Sequence, residues 1–547
     1  MSAPTQRRIV IYDTTLRDGS QGEGISFSLP DKLQIAARLD DLGVDYIEGG
    51  YPLSNPKDSA FFQEVKKLRL KHAKPVAFGN TRKGSVAVED DLSVGAVLKA
   101  DTPTVCFFGK SWDFHVREAL RVPLEENLRM IADTVGHCKR KGREVIYDAE
   151  HFFDGYKANP TYAMQAILAA RDAGADAVVL CDTNGGTLPH EVADICREVL
   201  PQLRGTVLGI HTHNDGDLGV ANALSAVMAG ADHVQGTVNG IGERCGNSDL
   251  ISIIANLRLK MKLDCLRPES LTKLTDVSRY VYDVSNMNWR NNQPWVGSSA
   301  FAHKAGVHAQ AMARDPRTYE HIDPKLVGND RRILISELSG AGNINAKLAK
   351  LGIVVDDKTL TRRVLDDVVK LESEGWQFEG AEASFELLLR RHLGLHRKFF
   401  ELDHYRAMIL KRENLAPITE CTIKLHAGSV VEHCVAEGDG PVNALDAALR
   451  KALEPHYPAI RKLQLVDFKV RVINSKAATA AKVRVVIESR DGDQLYGTIG
   501  VSENILDAAY RALVDSIEYL LIKEQERSLP TVAVPAITVP AAAAAGA

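Results

Sequence analysis

A chain of 547 residues is too long for one ordinary hydrophobic core, so two to four domains are expected, and 45 % apolar with 25 % charged residues is a normal globular balance. A formal net charge of −4 with both signs interspersed excludes a basic stripe for nucleic acid and a polybasic anchor for a membrane surface. Neither a signal-type apolar segment nor a run of about 18 apolar residues occurs, so the expectation is a cytoplasmic protein whose partners are small molecules or copies of itself.

Up to about residue 250, short β-rich runs alternate with segments of helical periodicity, the pattern of repeated βα units in a parallel sheet. The runs are RIVIYDTT, VDYIEGG, KPVAFGN, PTVCFFG, EVIYDAE, DAVVLCDTN, TVLGIHTHN and DHVQGTVNG. Eight such units close a (β/α)8 TIM barrel; an open doubly wound sheet, the alternative, usually takes fewer strands. Each run ends in polar groups: Asp18 just after the first, then Glu48, Asn80, Lys110, Glu150, Thr183, His211 with His213, and Asn239. In a barrel these ends open onto one face, where active sites lie.

From about 260 to 400 the periodicity is helical, as in ASFELLLRRHLGL, and the stretch holds the Gly-broken segment FAHKAGVHAQAM. Strand signals return from about 415, and NALDAALRKAL at 443 is echoed by NILDAAYRALV at 504, a spacing of 61 residues. Two copies of a strand-strand-strand-helix unit are implied, with Arg450 and Arg511 at equivalent positions read as exposed helix charges. The end, LPTVAVPAITVPAAAAAGA, is Pro/Ala-rich low complexity. The expected domains are therefore a catalytic barrel at 1–265, helical connector subdomains at 266–410, a duplicated α+β regulatory or dimerisation domain at 411–525 and a disordered tail at 526–547. Eight cysteines without a Cys-x-x-Cys pair argue for reduced, packed thiols, Cys245 among them as a structural residue.

Within IHTHND, alternate residues of an extended strand share a face, so His211 and His213 point the same way. An exposed strand end that tolerates a turn is the plainer account. If strands one and seven meet at one rim, Asp18 of DTTLRDGSQ joins the two imidazoles as three ligands of mixed character, leaving positions open for a substrate. Nonhaem iron oxygenases use the same ligand set on a different framework, and Asp18 could instead cap a turn or pair with Arg17. Of Phe107 and Phe108, which point opposite ways, one should narrow a pocket and the other pack the barrel.

DTTLRDGSQ, HTHND and GIGERCGN together resemble the metal-dependent Claisen-condensing family that includes 2-isopropylmalate synthase, homocitrate synthase and citramalate synthase. The resemblance extends through HKAGVH to the duplicated unit, and DKLQIAARLDDLGVDYIEGGYPLSNPKD is most similar to the citramalate synthase branch. It implies Asp18, His211 and His213 as metal ligands with Asn247 approaching or completing the shell. It implies Arg17 over the reacting carbonyl, Glu150 as the catalytic glutamate, Thr183 as the contact of the oxo-acid carboxylate, and His308 with Tyr319 reaching in from the partner subunit. Asp148-Ala149 departs from the Ser-Pro that commonly precedes the glutamate in isopropylmalate synthases, so Asp148 is expected at the acceptor pocket.

The implied chemistry is condensation of acetyl-CoA with pyruvate on a divalent metal (Mn, Zn or Mg), then thioester hydrolysis to citramalate, in a homodimer with isoleucine as a feedback effector. The alternatives are 2-isopropylmalate synthesis from 2-oxoisovalerate, or a lyase or carboxyltransferase on the same TLRDG barrel. Lyases of that type carry a Gly-Gly-Cys loop that GIGERCGN lacks, and no biotin-carrier AMKM segment occurs here.

Overall fold

The computed structural model describes residues 7–304, 314–334, 358–473, 481–492 and 494–528, and single positions 308, 311, 312, 344, 348, 353, 354, 537 and 538. The chain divides into two units, residues 1–301 with 322–331 and residues 302–321 with 332–547. No helix among the described residues is long and apolar enough to cross a membrane.

The first unit is a closed parallel barrel. Its strands are β1 (Val10–Asp13), β2 (Tyr46–Gly50), β3 (Lys74–Asn80), β4 (Thr104–Lys110), β5 (Glu144–Glu150), β6 (Ala177–Asp182), β7 (Val207–Thr212) and β8 (His233–Gly236). β8 pairs back onto β1 in the register Val10↔His233, which leaves no free sheet edge. The connecting helices start on ordinary caps: Ser28 and Asp31 form a capping box before Leu29–Leu42, and Asn55 caps Pro56–Glu64.

Side-chain parity sorts each strand into two layers. Residues such as Ile11, Ile47, Val105, Phe107 and Val178 face outward and pack under the helices in the main core. Tyr12, Val76, Phe78, Cys106, Ile146, Val179 and Cys181 face inward and fill the lower lumen. The inward set grows polar toward the carboxyl ends of the strands, with Glu48, Asp148, His211 and Gln235 all buried there. The site therefore stands on an apolar plug.

In the second unit, helices Lys358–Ser373 and Glu382–His392 are followed by two antiparallel three-stranded sheets. The first takes Phe400–Leu410, Ile418–Ala427 and Val430–Gly438 and is covered by helix Pro441–Leu453. The second takes Leu463–Val472, Val483–Asp491 and Gln494–Ser502 and is covered by helix Ile505–Ser528. Four differences from the sequence reading stand out. Strand Phe400–Leu410 lies within the segment expected to be a helical connector, so a boundary at 411 cuts a strand from its sheet. The connector also holds two short strands, Ala302–His303 and Arg332–Ile333, paired in parallel. The last helix runs through 526–528, and the other described tail residues, Ile537 and Thr538, pair with Ile353 and Val354; the rest of the expected disordered tail lies outside the described residues. Arg450 is not a free helix charge: it donates to the carbonyls of Ile460 (3.2 Å) and Leu463 (3.0 Å) as well as to Asp446, while Arg511 is half-exposed and meets Asp507 of its own helix.

Candidate active site

A cavity of about 470 Å³ opens at the carboxyl ends of the strands, lined among others by Arg17, Asp18, Phe78, Phe108, Asp148, Glu150, Thr183, His211 and His213. Asp18 follows β1 and precedes a short 3-10 turn, Gly19–Gln21, yet its carboxylate does not cap that turn. Instead Asp18 Oδ2 lies 3.3 Å from His211 Nε2. The His211 and His213 rings stand 5.2 Å apart, and one ligand atom from each of Asp18, His211 and His213 falls within 4.8 Å of the others. Asn247 is joined to His213 by a backbone bridge, which brings the GIGERCGN loop to the same place. That loop needs its glycine at 246, where φ is +90° and a Cβ would lie 1.9 Å from the Gly240 carbonyl oxygen.

The donor set suits a divalent cation. Two imidazoles, a carboxylate and an amide oxygen are borderline-to-hard ligands. His213 Nδ1 and Asn247 Oδ1 are buried without a hydrogen-bond partner among the described residues, a costly state that a cation would relieve. His211 Nδ1 meets Gln235 Oε1 at 2.8 Å, which leaves Nε2 for the cation.

Electrostatics at the site are dominated by burial and one guanidinium. Burial alone would raise Asp18, but Arg17 and the His211 contact hold it far below the usual carboxylate range. Burial would lower His211, but Asp18 outweighs it and the ring is raised. His213 is pushed down to about 4 by burial and by His211, and Asp148 is pushed up to about 6 by burial and by Glu48. Arg17 is shared: it donates through Nε to Glu48, stands 3.3 Å from Asp18 and lies 3.8 Å above the Phe78 ring. Tyr12 holds the other Glu48 oxygen at 2.6 Å. The plain ion pair and the catalytic reading of Arg17 thus coexist, because the fork has more donors than Glu48 uses.

Glu150, at the end of β5, pairs with Lys110 at the end of β4. Thr183 accepts from the His151 backbone N–H at 2.9 Å, an interaction set by the left-handed backbone of His151 at φ +56°. Phe108 stacks on Phe78 at 5.4 Å against the cavity, and Phe107 is fully buried outside the barrel. Asn239 is turned away: at φ +64° its amide exchanges hydrogen bonds with Ser278. Cys245 is exposed rather than structural. His308 and Tyr319 belong to the second unit, where their rings lie 4.1 Å apart. Glu48, named from sequence only as a polar strand end, and Gln235, not named at all, are site residues by parity: Glu48 shares the inward face of Tyr46, and Gln235 that of His233.

Comparison with known proteins places these residues in a family. A family model described as HMGL-like matches residues 8–281, one described as homocitrate synthase post-HMGL domain-like matches 295–375, and one described as LeuA allosteric (dimerisation) domain matches 379–521. The chain is 54 % identical to an (R)-citramalate synthase of Aquifex aeolicus, covering 95 % of this chain and 99 % of that one. It is 53 % identical to an (R)-citramalate synthase of Geobacter sulfurreducens over 95 % and 98 % of the two chains. A 2-isopropylmalate synthase of Methanocaldococcus jannaschii is 30 % identical over 95 % and 96 %.

Proposed function

The chain belongs to the HMGL-like family, alongside the citramalate synthases that match it over nearly its whole length, and from that premise we propose that it is an (R)-citramalate synthase. The reaction joins the methyl carbon of acetyl-CoA to C2 of pyruvate, and hydrolysis of the thioester releases citramalate and CoA. The single observation that carries this reading is the end-to-end identity to relatives bearing that name, with Asp18, His211 and His213 gathered at the barrel rim.

Asp18, His211, His213 and Asn247 would hold the divalent cation, which supplies Lewis-acid polarisation of the acceptor ketone. The chain's own residues do the rest. Thr183 receives the pyruvate carboxylate, and Phe78 and Phe108 close the wall where the acceptor methyl sits. Asp148, at the cavity floor, limits the acceptor's size. Glu150, kept at the cavity by Lys110, takes a methyl proton from acetyl-CoA. The resulting carbanion carbon forms the new bond to C2, and the ketone oxygen becomes an alkoxide. Arg17 has N–H groups beyond those bonded to Glu48 and stabilises that oxygen. Water then cleaves the thioester, which makes the sequence irreversible.

His308 and Tyr319 assist from the partner subunit of a homodimer held by the region that matches the LeuA dimerisation domain. Isoleucine, the amino acid downstream of citramalate, lowers activity through the duplicated sheets that begin with strand Phe400–Leu410. Loss of inhibition in a chain truncated before 400 supports this, and an untruncated enzyme indifferent to isoleucine refutes it.

The test of the proposed reaction is the product formed from acetyl-CoA and [2-13C]pyruvate. Citramalate carrying the label at its quaternary carbon is expected. Absence of any labelled C5 dicarboxylate overturns the reading.

A further inference from the structure

Gln235 takes no part in the scheme above, yet it is fully buried beside a proposed metal ligand. It stands on β8 in register with His211 on β7, and its Oε1 lies 2.8 Å from His211 Nδ1. Its Nε2 donates across the lumen to Asp148 Oδ1 of β5 at 2.9 Å. Three buried side chains from three strands thus form one line that ends at Asp18, 3.3 Å beyond His211. The order of the groups fixes their orientation. A carboxylate offers only acceptors, so the amide turns its NH2 toward Asp148 and its oxygen toward His211. An oxygen at Nδ1 requires the proton there, so Nε2, 3.3 Å from Asp18, is the ring atom left to a cation.

We infer that Gln235 is a positioning residue that fixes the ring plane and tautomer of His211 for the cation, and that Asp148 in turn fixes the amide of Gln235. The inference rests on the reading of His211 as a metal ligand. It gives Asp148 a task beside lining the acceptor cavity, and it links the acceptor floor to the metal centre through one amide. A lumen-filling role would need only volume, which methionine supplies as well as glutamine.

The test is metal binding by the full-length chain, stripped with chelator and titrated calorimetrically with Mn²⁺ and with Zn²⁺ in the absence of acetyl-CoA and oxo acid. Gln235→Met is expected to weaken binding ~10- to 100-fold in metal-free protein that still melts cooperatively, with some stability lost because His211 Nδ1 and Asp148 Oδ1 lose their partner. Asp148→Asn, which keeps the volume but lets the amide turn either way, is expected to weaken it several-fold. Activity lost at limiting Mn²⁺ should return at excess. Wild-type affinity in folded Gln235→Met overturns the inference; if that variant does not fold, wild-type affinity in Asp148→Asn does so. A wild-type chain that binds neither ion overturns the metal centre and the inference together, whereas unchanged variants beside a binding wild type overturn the inference alone.

Discussion

Replacing Arg17 by lysine keeps the charge and removes the fork. In the structure one guanidinium serves Glu48, approaches Asp18 to 3.3 Å and lies flat over Phe78 at 3.8 Å. Glu48 is fully buried and its second oxygen is already taken by Tyr12, so a lysine ammonium will settle on Glu48 and leave the acceptor oxygen without a donor. Removing one aimed donor from a developing oxyanion costs about 3 to 4 kcal/mol, or ~100- to 1000-fold in kcat. Arg17→Met separates the structural part of the role. It leaves the buried Glu48 carboxylate with the Tyr12 hydroxyl but no cation, and close to Asp148, a loss of ~3–5 kcal/mol in stability. The assay is CoA thiol release at saturating acetyl-CoA and pyruvate, with KM values and thermal melting measured on the same preparations. Arg17→Lys should lose kcat far more than it loses melting temperature, and Arg17→Met should lose both. A kcat for Arg17→Lys within about tenfold of wild type would refute the reasoning.

Three further outcomes follow from the same geometry. Lys32 is buried, with Nζ 2.5 Å from Asp58 and 3.0 Å from the Gly49 carbonyl, so Lys32→Met should cost ~3–5 kcal/mol and Asp58→Asn should restore most of it; strictly additive denaturation effects of the two changes would contradict a coupled pair. Burial pushes Asp13 up to about 7 against an ordinary 3.8, so the folded state binds the extra proton and stability falls as pH rises between those values. Asp13→Asn should therefore lose less melting temperature than wild type between pH 5 and pH 8, and parallel losses would remove the argument. If His308 acts across the dimer, mixed and re-associated Glu150→Gln and His308→Ala chains should regain activity that neither variant has alone, and a mixture as inactive as its parents would place His308 elsewhere.

Most of the barrel could be read from sequence because each strand announces itself twice, by β-branched apolar runs and by the polar residue at its end. Phe107 and Phe108 are the clearest case: parity alone predicts one outside and one in the cavity, and they stand so. Asn239 shows the limit of the rule, since a single left-handed residue after β8 aims its amide at Ser278 instead of the cavity. Strand Phe400–Leu410 escaped notice because Glu401, Asp403, His404 and Arg406 dilute its apolar signal, and most of its residues are wholly or partly exposed. Gln235 was hidden for a different reason. A glutamine in a short strand reads as a solvent-facing residue until the closure of the barrel turns its face inward, where His211 and Asp148 supply the partners that make burial affordable; Glu48 was placed at the rim from sequence, but its pairing with Tyr12 and Arg17 was not.

The most direct measurement of the central claim is CoA release by the purified chain with pyruvate, 2-oxoisovalerate and 2-oxoglutarate in parallel, each before and after chelation and again after adding Mn²⁺. The account predicts that kcat/KM is highest with pyruvate, that activity disappears on chelation and that the metal restores it. A preference for 2-oxoisovalerate would keep the chemistry and contradict the acceptor. Release that survives exhaustive chelation would contradict the assignment of Asp18, His211 and His213.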